Sequence, residues 1–540
     1  MNKKIMAVGV AAALGAMSGV ASAGMTVNAN GTGHINILPY YSVQEGNITV
    51  LSITNTDTTN GKAVKVRFRG AQFSDDVFDF QVFMSPGDVW TGAVSLNGNV
   101  AKMQTNDKSC TLPASVNQDF VTARLLDANK VTGTREGYVE IINMGDIRKG
   151  SRLVATAVTV LDGTNDALTG VTTTAVADAS NDLYDAIKHA TSGATVGTAA
   201  CTTAVLVGSA ALPKDLGPYL SDATDGLTSF ATILNVAKSK AFTFPATAMS
   251  PVLSGVAPEL DHVPQRYARQ ANLNNGSAGY AGNGLSATGF ATIGFGPTTT
   301  ADEVFDTNVN TTAGLGGNVT MYEFDLPDLS TPYGHTQAIG TTGQLAAMQA
   351  ALGKAYVQTE FGTDPAIMAS TDVILAQPTR RYYYTWFDTP NAAAGDTLKT
   401  LATVAGGTGP YASLVASTNS VAVGSPEVYD REERPFADPS QIVISPNPAG
   451  SNSYTVKTEV AVVSINNGSI PSGALAASLG AQDYTFKYTT GGSTIYDGWV
   501  TLSTTGANGS LPIIGFTAVN VFNGAVASGT NYGQVLPLKW

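Results

Sequence analysis

An alternation of apolar and polar residues with a period of two constrains the fold of this chain most strongly. The segment 63–70, AVKVRFRG, alternates apolar side chains with Lys65, Arg67 and Arg69. Successive side chains of a β-strand point to opposite faces, whereas an amphipathic helix repeats every 3.6 residues. We therefore expect a sheet with its apolar face in the core and its cationic face in water. On the next strand, Asp79 is placed to pair with an arginine if the register allows.

Strand-like patterns recur along the chain and are separated by turn-rich segments. The predicted strands are 49–54, 63–70, 78–84, 139–142, 153–161, 229–236, 241–244, 373–375, 382–387, 442–445, 454–464 and 483–488. Helical spacing occurs at 182–190 and at 344–356. No repeat of fixed period is found, which argues against a solenoid. The pattern predicts a mainly β protein.

A chain of 540 residues is longer than a chain that usually folds around a single hydrophobic core. We predict two β-sandwich-like domains with small α-helical insertions, one at 24–270 and the other at 271–540. The first carries a mixed insertion at about 162–227, and the second carries the helix 344–356. A Gly/Asn/Ala-rich stretch at 272–296 contains the expected boundary.

The first 23 residues have the pattern of a secretory signal peptide. Lys3 and Lys4 precede a stretch of small apolar residues, and the sequence Ala-Ser-Ala at 21–23 is a cleavage site. Cleavage between Ala23 and Gly24 is expected. No later segment has the length of a membrane-spanning helix. The sequence therefore predicts export to the cell surface or the extracellular space, with an outer-membrane location as a further possibility.

The composition is polar and weakly charged. Charged residues make up 13% of the chain, the formal net charge is −12 and the pI is about 4.8. This balance argues against nucleic acid as a partner. Acidic turns offer oxygen ligands for calcium as a possible cofactor, although solvated turn acids are the simpler interpretation. The candidate ligands are Asp75, Asp76, Asp302, Glu303 and Asp306.

The two cysteines, Cys110 and Cys201, follow the leader and would reach an oxidising compartment. An intrachain disulfide is the expected state, with free thiols or a bond between subunits as the alternatives.

Sequence motifs for catalysis are absent, and we expect no enzymatic activity. The four histidines, His34, His189, His262 and His335, do not fall at metal-ligand spacing. No G-x-S-x-G elbow occurs. The glycine-rich segment 282–287 fits a loose dinucleotide pattern but follows no predicted strand.

The densest aromatic run lies at 382–387 and includes Tyr382, Tyr384 and Trp386. These three side chains would share one face of a strand and could stack on sugar rings. Core packing is the simpler interpretation of the same pattern.

Eight sequence blocks resemble a family of exported proteobacterial proteins that are usually described only as cell-surface or hypothetical proteins. The blocks are 33–41, 60–70, 79–83, 109–113, 134–140, 186–189, 324–329 and 378–382. The resemblance implies a surface location and supplies no catalytic or ligand residues.

We therefore expect an exported structural protein that self-assembles into a surface layer or filament, or that is adhesive. Its partners would be further copies of itself or other components of the cell envelope. One alternative is an outer-membrane β-barrel, because Leu536, Leu538 and Trp540 alternate at the C-terminus, although Pro537 interrupts that strand. The other alternative is a secreted carbohydrate-binding protein.

Overall fold

The fold is mainly β-sheet, as the sequence predicts. The computed structural model describes residues 24–112, 115–122, 125, 129–149, 184, 187–189, 223–252, 329, 344–380, 409–411, 413–415, 419–424, 426–431, 442–445, 454–466, 473–479, 481–486, 489–490, 493–494, 496–524 and 530–540. All structural statements below concern these residues.

The first described part of the chain contains strands β1 to β12. They are β1 (Gly24–Val27), β2 (Ile35–Ser42), β3 (Ile48–Asn55), β4 (Gly61–Gly70), β5 (Asp76–Met84), β6 (Val89–Asn97), β7 (Val100–Gln104), β8 (Cys110–Leu112), β9 (Glu136–Ile147), β10 (Leu227–Asn235), β11 (Lys240–Pro245) and β12 (Thr247–Val252).

The second part contains helix α1 and the remaining strands. They are α1 (Gln344–Leu352), β13 (Gly353–Lys354), β14 (Tyr356–Gly362), β15 (Ser370–Ala376), β16 (Ser420–Val423), β17 (Glu427–Asp430), β18 (Ile442–Ser445), β19 (Tyr454–Lys457), β20 (Val460–Asn466), β21 (Ala481–Phe486), β22 (Thr489–Thr490), β23 (Ser493–Thr494), β24 (Asp497–Ser503), β25 (Thr505–Gly506), β26 (Gly509–Pro512), β27 (Phe516–Asn523) and β28 (Thr530–Pro537).

Two antiparallel sheets pack against each other in the first part. Sheet I has the strand order β1-β12-β2-β9-β4-β5-β8, and sheet II has the order β11-β10-β3-β6-β7. The ring of Phe80 in sheet I lies 5.2 Å from that of Trp90 in sheet II. Tyr41, Phe68 and Phe120 extend this aromatic core. The apolar face of β4 therefore lies in the core, as the alternation predicts.

The centre of sheet I depends on a glycine in β9. A Cβ atom at Gly137 would lie 1.7 Å from the carbonyl oxygen of Arg69 on the neighbouring strand. Glycine is therefore required where β4 and β9 approach this closely. The pairing of Gly137 with Gly70 leaves this point of the sheet without side chains.

The cationic face of β4 does not lie in water, and this part of the sequence prediction is wrong. Lys65, Arg67 and Arg69 are each at most 2% exposed. Burial is tolerated because acids from β5 and β9 pair with these cations. Part of the cover comes from the second half of the chain, where the carbonyl oxygen of Pro378 accepts a hydrogen bond from Tyr138 at 3.3 Å.

The second part of the described chain forms four further sheets. Sheet III has the order β13-β26-β25-β16-β19, sheet IV has β14-β24-β17, sheet V has β18-β21-β20-β15-β27-β28, and sheet VI has β22-β23. Within sheet V, β20 and β21 pair in parallel, so the chain crosses over between them. Sheet IV packs on sheet V, where the Thr359 hydroxyl donates to the Thr517 hydroxyl at 2.6 Å.

The two halves of the chain contact each other through both apolar and polar groups. The rings of Phe244 and Phe516 stack at 4.1 Å. The backbone N–H of Val460 donates to the Ala71 carbonyl at 3.0 Å. The predicted boundary at 270–271 lies outside the described residues, so the two-domain division stays a prediction. The buried apolar residues of both halves belong to one connected core.

The predicted helix 344–356 is shorter in the structure, where α1 ends at Leu352. Gly353 follows directly and starts β13, and Tyr356 already belongs to β14. Glycine is a common residue just past a helix end, which explains the earlier stop. The predicted strands 229–236 and 241–244 are confirmed as β10 and β11, which pair as an antiparallel hairpin.

Several predicted elements fall on residues that the structure does not describe. These are the strands 153–161 and 382–387 and most of the insertion 162–227. In the part of the chain that is described, every helix is too short or too polar to cross a membrane.

Candidate functional site

Asp75 and Asp76, two of the predicted calcium ligands, are buried at the start of β5, and Asp76 belongs to an ion-pair network on sheet I. Their exposures are 6% and 4%. Asp76 Oδ2 lies 3.1 Å from Arg67 Nε and 3.9 Å from Arg69 Nη1. A guanidinium already neutralises this carboxylate, so the geometry does not favour calcium here. The described residues contain no cluster of three potential metal ligands.

The other predicted calcium ligands, Asp302, Glu303 and Asp306, lie outside the described residues. A calcium site at these positions stays a prediction.

Asp79 extends the same network. It lies directly opposite Arg67 in the register of β4 and β5, as the sequence suggested. Its carboxylate pairs with Lys65 and lies 3.8 Å from Arg67 Nη2. Burial raises the pKa of Asp79, and burial also lowers the pKa of Lys65, in each case against the effect of the partner charge. These opposite shifts indicate that both charges depend on their pairing.

Glu140 completes the network from β9. Its Oε1 lies 3.2 Å from Arg69 Nε, and it also accepts a hydrogen bond from the Tyr138 hydroxyl at 3.3 Å. Three cations therefore meet acids on strands to either side of β4. The chemistry of this arrangement is structural, because the charged groups are buried and occupied by one another.

Cys110 lies in β8 at the edge of sheet I and is 2% exposed. It is not a free thiol. Cys201 lies outside the described residues. The bond between Cys110 and Cys201 therefore stays a prediction.

His189 docks beside β8 and resembles part of a catalytic triad. Its Nε2 lies 3.2 Å from Asp88 Oδ2 and 3.4 Å from Ser109 Oγ. Both partners contact the same ring nitrogen, whereas a triad places the acid and the nucleophile on opposite nitrogens. A cavity of about 500 Å³ lies next to Asp88 and His189, with Tyr184 and Lys188 in its wall. The contact attaches the described residues of the insertion to the segments that precede β6 and β8.

His34 has a structural environment as well. It is 4% exposed, and its Nε2 lies 3.3 Å from Asp225 Oδ1. His262 and His335 lie outside the described residues.

The predicted aromatic surface, formed by Tyr382, Tyr384 and Trp386, also lies outside the described residues. The structure presents a different aromatic surface on sheet IV. Tyr429 of β17 and Trp499 of β24 are directly opposite in the register. Their rings are parallel within 8°, and their centroids are 4.2 Å apart.

Sheet IV has one buried and one open face. Val357, Val500 and Leu502 point into the core. The alternate residues of the three strands are partly or fully exposed. We call the exposed side the outer face of sheet IV; it comprises Tyr356, Gln358, Glu360, Glu427, Tyr429, Arg431, Asp497, Trp499, Thr501, Ser503 and Lys539.

Polar groups surround the aromatic pair on this outer face. Glu360 lies opposite Trp499 on the side away from Tyr429. Arg431 Nε lies 2.9 Å from Asp497 Oδ1, and these side chains are 72% and 40% exposed. An alternating sheet face with aromatic rings, carboxylates and a guanidinium can stack on and hydrogen-bond a ligand.

The sequence interpretation did not find this site. The charged composition of segment 429–435 is typical of a solvated loop, but Tyr429 and Asp430 belong to β17. Arg431 pairs with the distant Asp497 instead of a neighbour in sequence. The sequence signal for this site is the alternation in 497–503, which indicates a strand with one exposed face. The alternation does not reveal the site by itself, because the aromatic pair forms only when β17 lies beside β24.

At the predicted cleavage position, Gly24 is the first residue of β1. Gly24 pairs with Val252 at the edge of sheet I, and Met25 is 4% exposed. Cleavage between Ala23 and Gly24 itself stays a prediction.

Comparison with known proteins gives no relative: no family model matches this chain, and neither a curated protein nor a solved structure shows significant similarity.

Proposed function

We propose that this protein is an exported structural component of the cell surface that associates with further copies of itself. The observation that carries the proposal is the extensive polar and apolar contact between the two halves of the chain. Asn47 Nδ2 donates to the Leu475 carbonyl at 2.8 Å, and Asn419 Nδ2 donates to the Gln72 carbonyl at 2.6 Å. Buried contacts of this kind stabilise a rigid body.

Arg380 illustrates this rigidity. It is 0% exposed, and its guanidinium donates to the carbonyls of Val456, Thr458 and Asn419. One side chain therefore holds the turn between β19 and β20 and the residue before β16. Such bonds favour a rigid structural role over a role that requires conformational change.

Open sheet edges support self-association. Within the described residues, β17 is the last strand of sheet IV and β18 is the last strand of sheet V. The unpaired backbone groups of an edge strand are a template for a strand from another chain.

Export is supported by the leader-like first 23 residues. Met25 is buried, so the chain directly after the expected cleavage point contributes to the core.

Fractionation of the native cells tests the proposal. We expect the chain in the cell-surface or extracellular fraction, with Gly24 as its first residue by N-terminal sequencing. Protease added to intact cells should cleave it, whereas a cytoplasmic marker protein should stay intact. A chain that remains in the cytoplasmic fraction with Met1 or Asn2 at its N-terminus would contradict the proposal.

A further inference from the structure

The outer face of sheet IV has a regular arrangement of side chains across neighbouring strands. One row contains Glu360, Trp499 and Tyr429, which are direct neighbours in the register. The next row contains Gln358, Thr501 and Glu427, and Lys539 extends that row beside Gln358. Four neighbouring strands span about 14 Å. The face is therefore longer than a single small ligand.

The aromatic pair is ordered before any ligand arrives. Because Trp499 covers one face of the Tyr429 ring at 4.2 Å, the opposite face of that ring is turned away from β24. Tyr429 belongs to β17, the edge strand of the described sheet, and is only partly buried. A ring fixed in this way loses little conformational freedom on binding. It offers a flat, electron-rich surface at the rim of the sheet.

The polar groups next to the rings are also held in place. Gln358 Nε2 donates to Thr501 Oγ1 at 3.1 Å. The ion pair with Asp497 engages Nε of Arg431, whose side chain is 72% exposed. Glu360 and Glu427 are exposed carboxylates: Glu360 lies opposite Trp499, and Glu427 lies two residues before Tyr429 on β17. The site thus combines hydrogen-bond acceptors with donors at fixed positions.

The charges on this face identify the class of ligand. Three carboxylates, those of Glu360, Glu427 and Asp497, stand against the cations of Arg431 and Lys539. Because the negative and positive charges nearly balance, this face does not attract a polyanion or a polycation. A ligand with C–H groups that stack on a ring and with hydroxyls that both donate and accept fits the chemistry. A neutral sugar chain has both kinds of group.

We propose that the outer face of sheet IV binds a neutral polysaccharide, with a sugar ring on the face of Tyr429 that is turned away from Trp499. Glu427 accepts hydrogen bonds from the sugar hydroxyls, and Arg431 donates to their oxygens. Trp499 acts as a positioning residue for Tyr429. This binding does not depend on export or self-association, because it is a property of the folded chain in solution.

Affinity electrophoresis of the purified chain tests the proposal. The probes are a soluble β-1,4-glucan, a β-1,3-glucan, a mannan and a galactan, each cast in a native gel, with a sulfated polysaccharide for comparison. We expect at least one neutral polymer to retard the chain, and the retardation should persist in about 0.5 M salt because screening weakens only charge attraction.

Variants locate the binding site. Tyr429→Ala should weaken binding at least tenfold, and Glu427→Gln should weaken it less. Tyr532→Ala is the matched control, because Tyr532 is 54% exposed on β28 and lies outside this face. Trp499→Phe keeps a ring against Tyr429 and should bind better than Trp499→Ala. Each variant is compared with wild type by urea unfolding, so a loss of fold is separated from a loss of binding.

Three outcomes would overturn the proposal. The first is no retardation of the wild-type chain by any neutral polymer. The second is equal retardation of wild type and of a folded Tyr429→Ala chain. The third is retardation by the sulfated polymer alone that disappears in salt. Because all measurements use the isolated chain, these outcomes are distinct from a failure of the export and assembly proposal.

Discussion

The carboxylate of Glu136 accepts a hydrogen bond of 2.7 Å from the backbone N–H of Ser478, a residue 342 positions further along the chain. A second bond, from the N–H of Leu479, reaches the other oxygen at 3.3 Å. Glu136 begins β9 and is 0% exposed. One buried acid of sheet I therefore holds backbone from the second half of the chain.

Glu136 should make the stability of the protein depend on pH. Burial raises its pKa from 4.5 to about 7, although the hydrogen bonds from Ser478 and Leu479 favour the charged form. Between these pH values the folded state keeps a proton that the unfolded state has released. The stability contribution therefore falls as the pH rises from 4.5 to 7, by about 3 kcal/mol.

Glu136→Gln should remove this part of the pH dependence. The measurement is the free energy of unfolding in urea at several pH values from 4.5 to 8, for wild type, Glu136→Gln and the exposed control Glu360→Gln. The difference in free energy of unfolding between wild type and Glu136→Gln should change over this pH range. The corresponding difference between wild type and Glu360→Gln should stay constant. A constant difference for both variants would refute the role of Glu136.

Asp79 should contribute far more to stability than an exposed acid. Asp79→Ala leaves Lys65 and Arg67 buried without one of their counter-charges. Removal of one partner from a buried pair costs about 3 to 5 kcal/mol. Asp497→Ala breaks the exposed pair with Arg431 and should cost less than about 1 kcal/mol. Urea unfolding midpoints compare the two, and similar losses would show that the buried network is not stabilising.

Arg380 should not be replaceable by lysine. Its two Nη groups reach Asn419 and Thr458 at 2.6 and 2.8 Å, and a lysine ammonium cannot span both positions. We expect Arg380→Lys to lower stability by about 2 to 4 kcal/mol, because buried carbonyls lose their donors. Arg135→Lys is the matched control, since Arg135 contacts Asn99 on the surface. The melting temperatures are measured by differential scanning calorimetry. Equal melting temperatures for wild type and both variants would contradict this expectation.

The predicted bond between Cys110 and Cys201 gives a further test. Cys110 adjoins Ser109, which contacts His189, so the bond and the histidine contact would anchor the insertion at neighbouring points. The chain-entropy model gives about 4 to 5 kcal/mol for closing a loop of this length. Cys110→Ser should therefore lower the melting temperature to the value of the wild type in reductant. A melting temperature that reductant leaves unchanged would show that no such bond stabilises the fold.

The alternation of side chains was enough to predict strands, but it could not predict what covers them. The pattern in 63–70 correctly puts Phe68 in the core and pairs Arg67 with Asp79. It also put Arg67 in water, because sequence alone does not show that acids from β5 and β9 and the backbone at Pro378 meet this face. Burial of a charged strand face is a tertiary property.

The same limit explains why the candidate site was missed. Tyr429 and Trp499 are 70 positions apart, and their stacking depends on the register of β17 and β24. Local composition instead drew attention to the aromatic run that contains Trp386. A short strand such as β17, with four residues, gives too little alternation to be recognised beside a run of charges.

Electron microscopy of released surface material tests the central claim most directly. The native cells are treated with a chelator or a mild denaturant, and the released protein is examined by negative stain after its identity is checked by mass spectrometry. The account predicts ordered lattices or fibres that contain this chain. Release of a monodisperse protein that forms no assembly after the reagent is removed would contradict it, as would retention of the chain in the detergent-soluble membrane fraction.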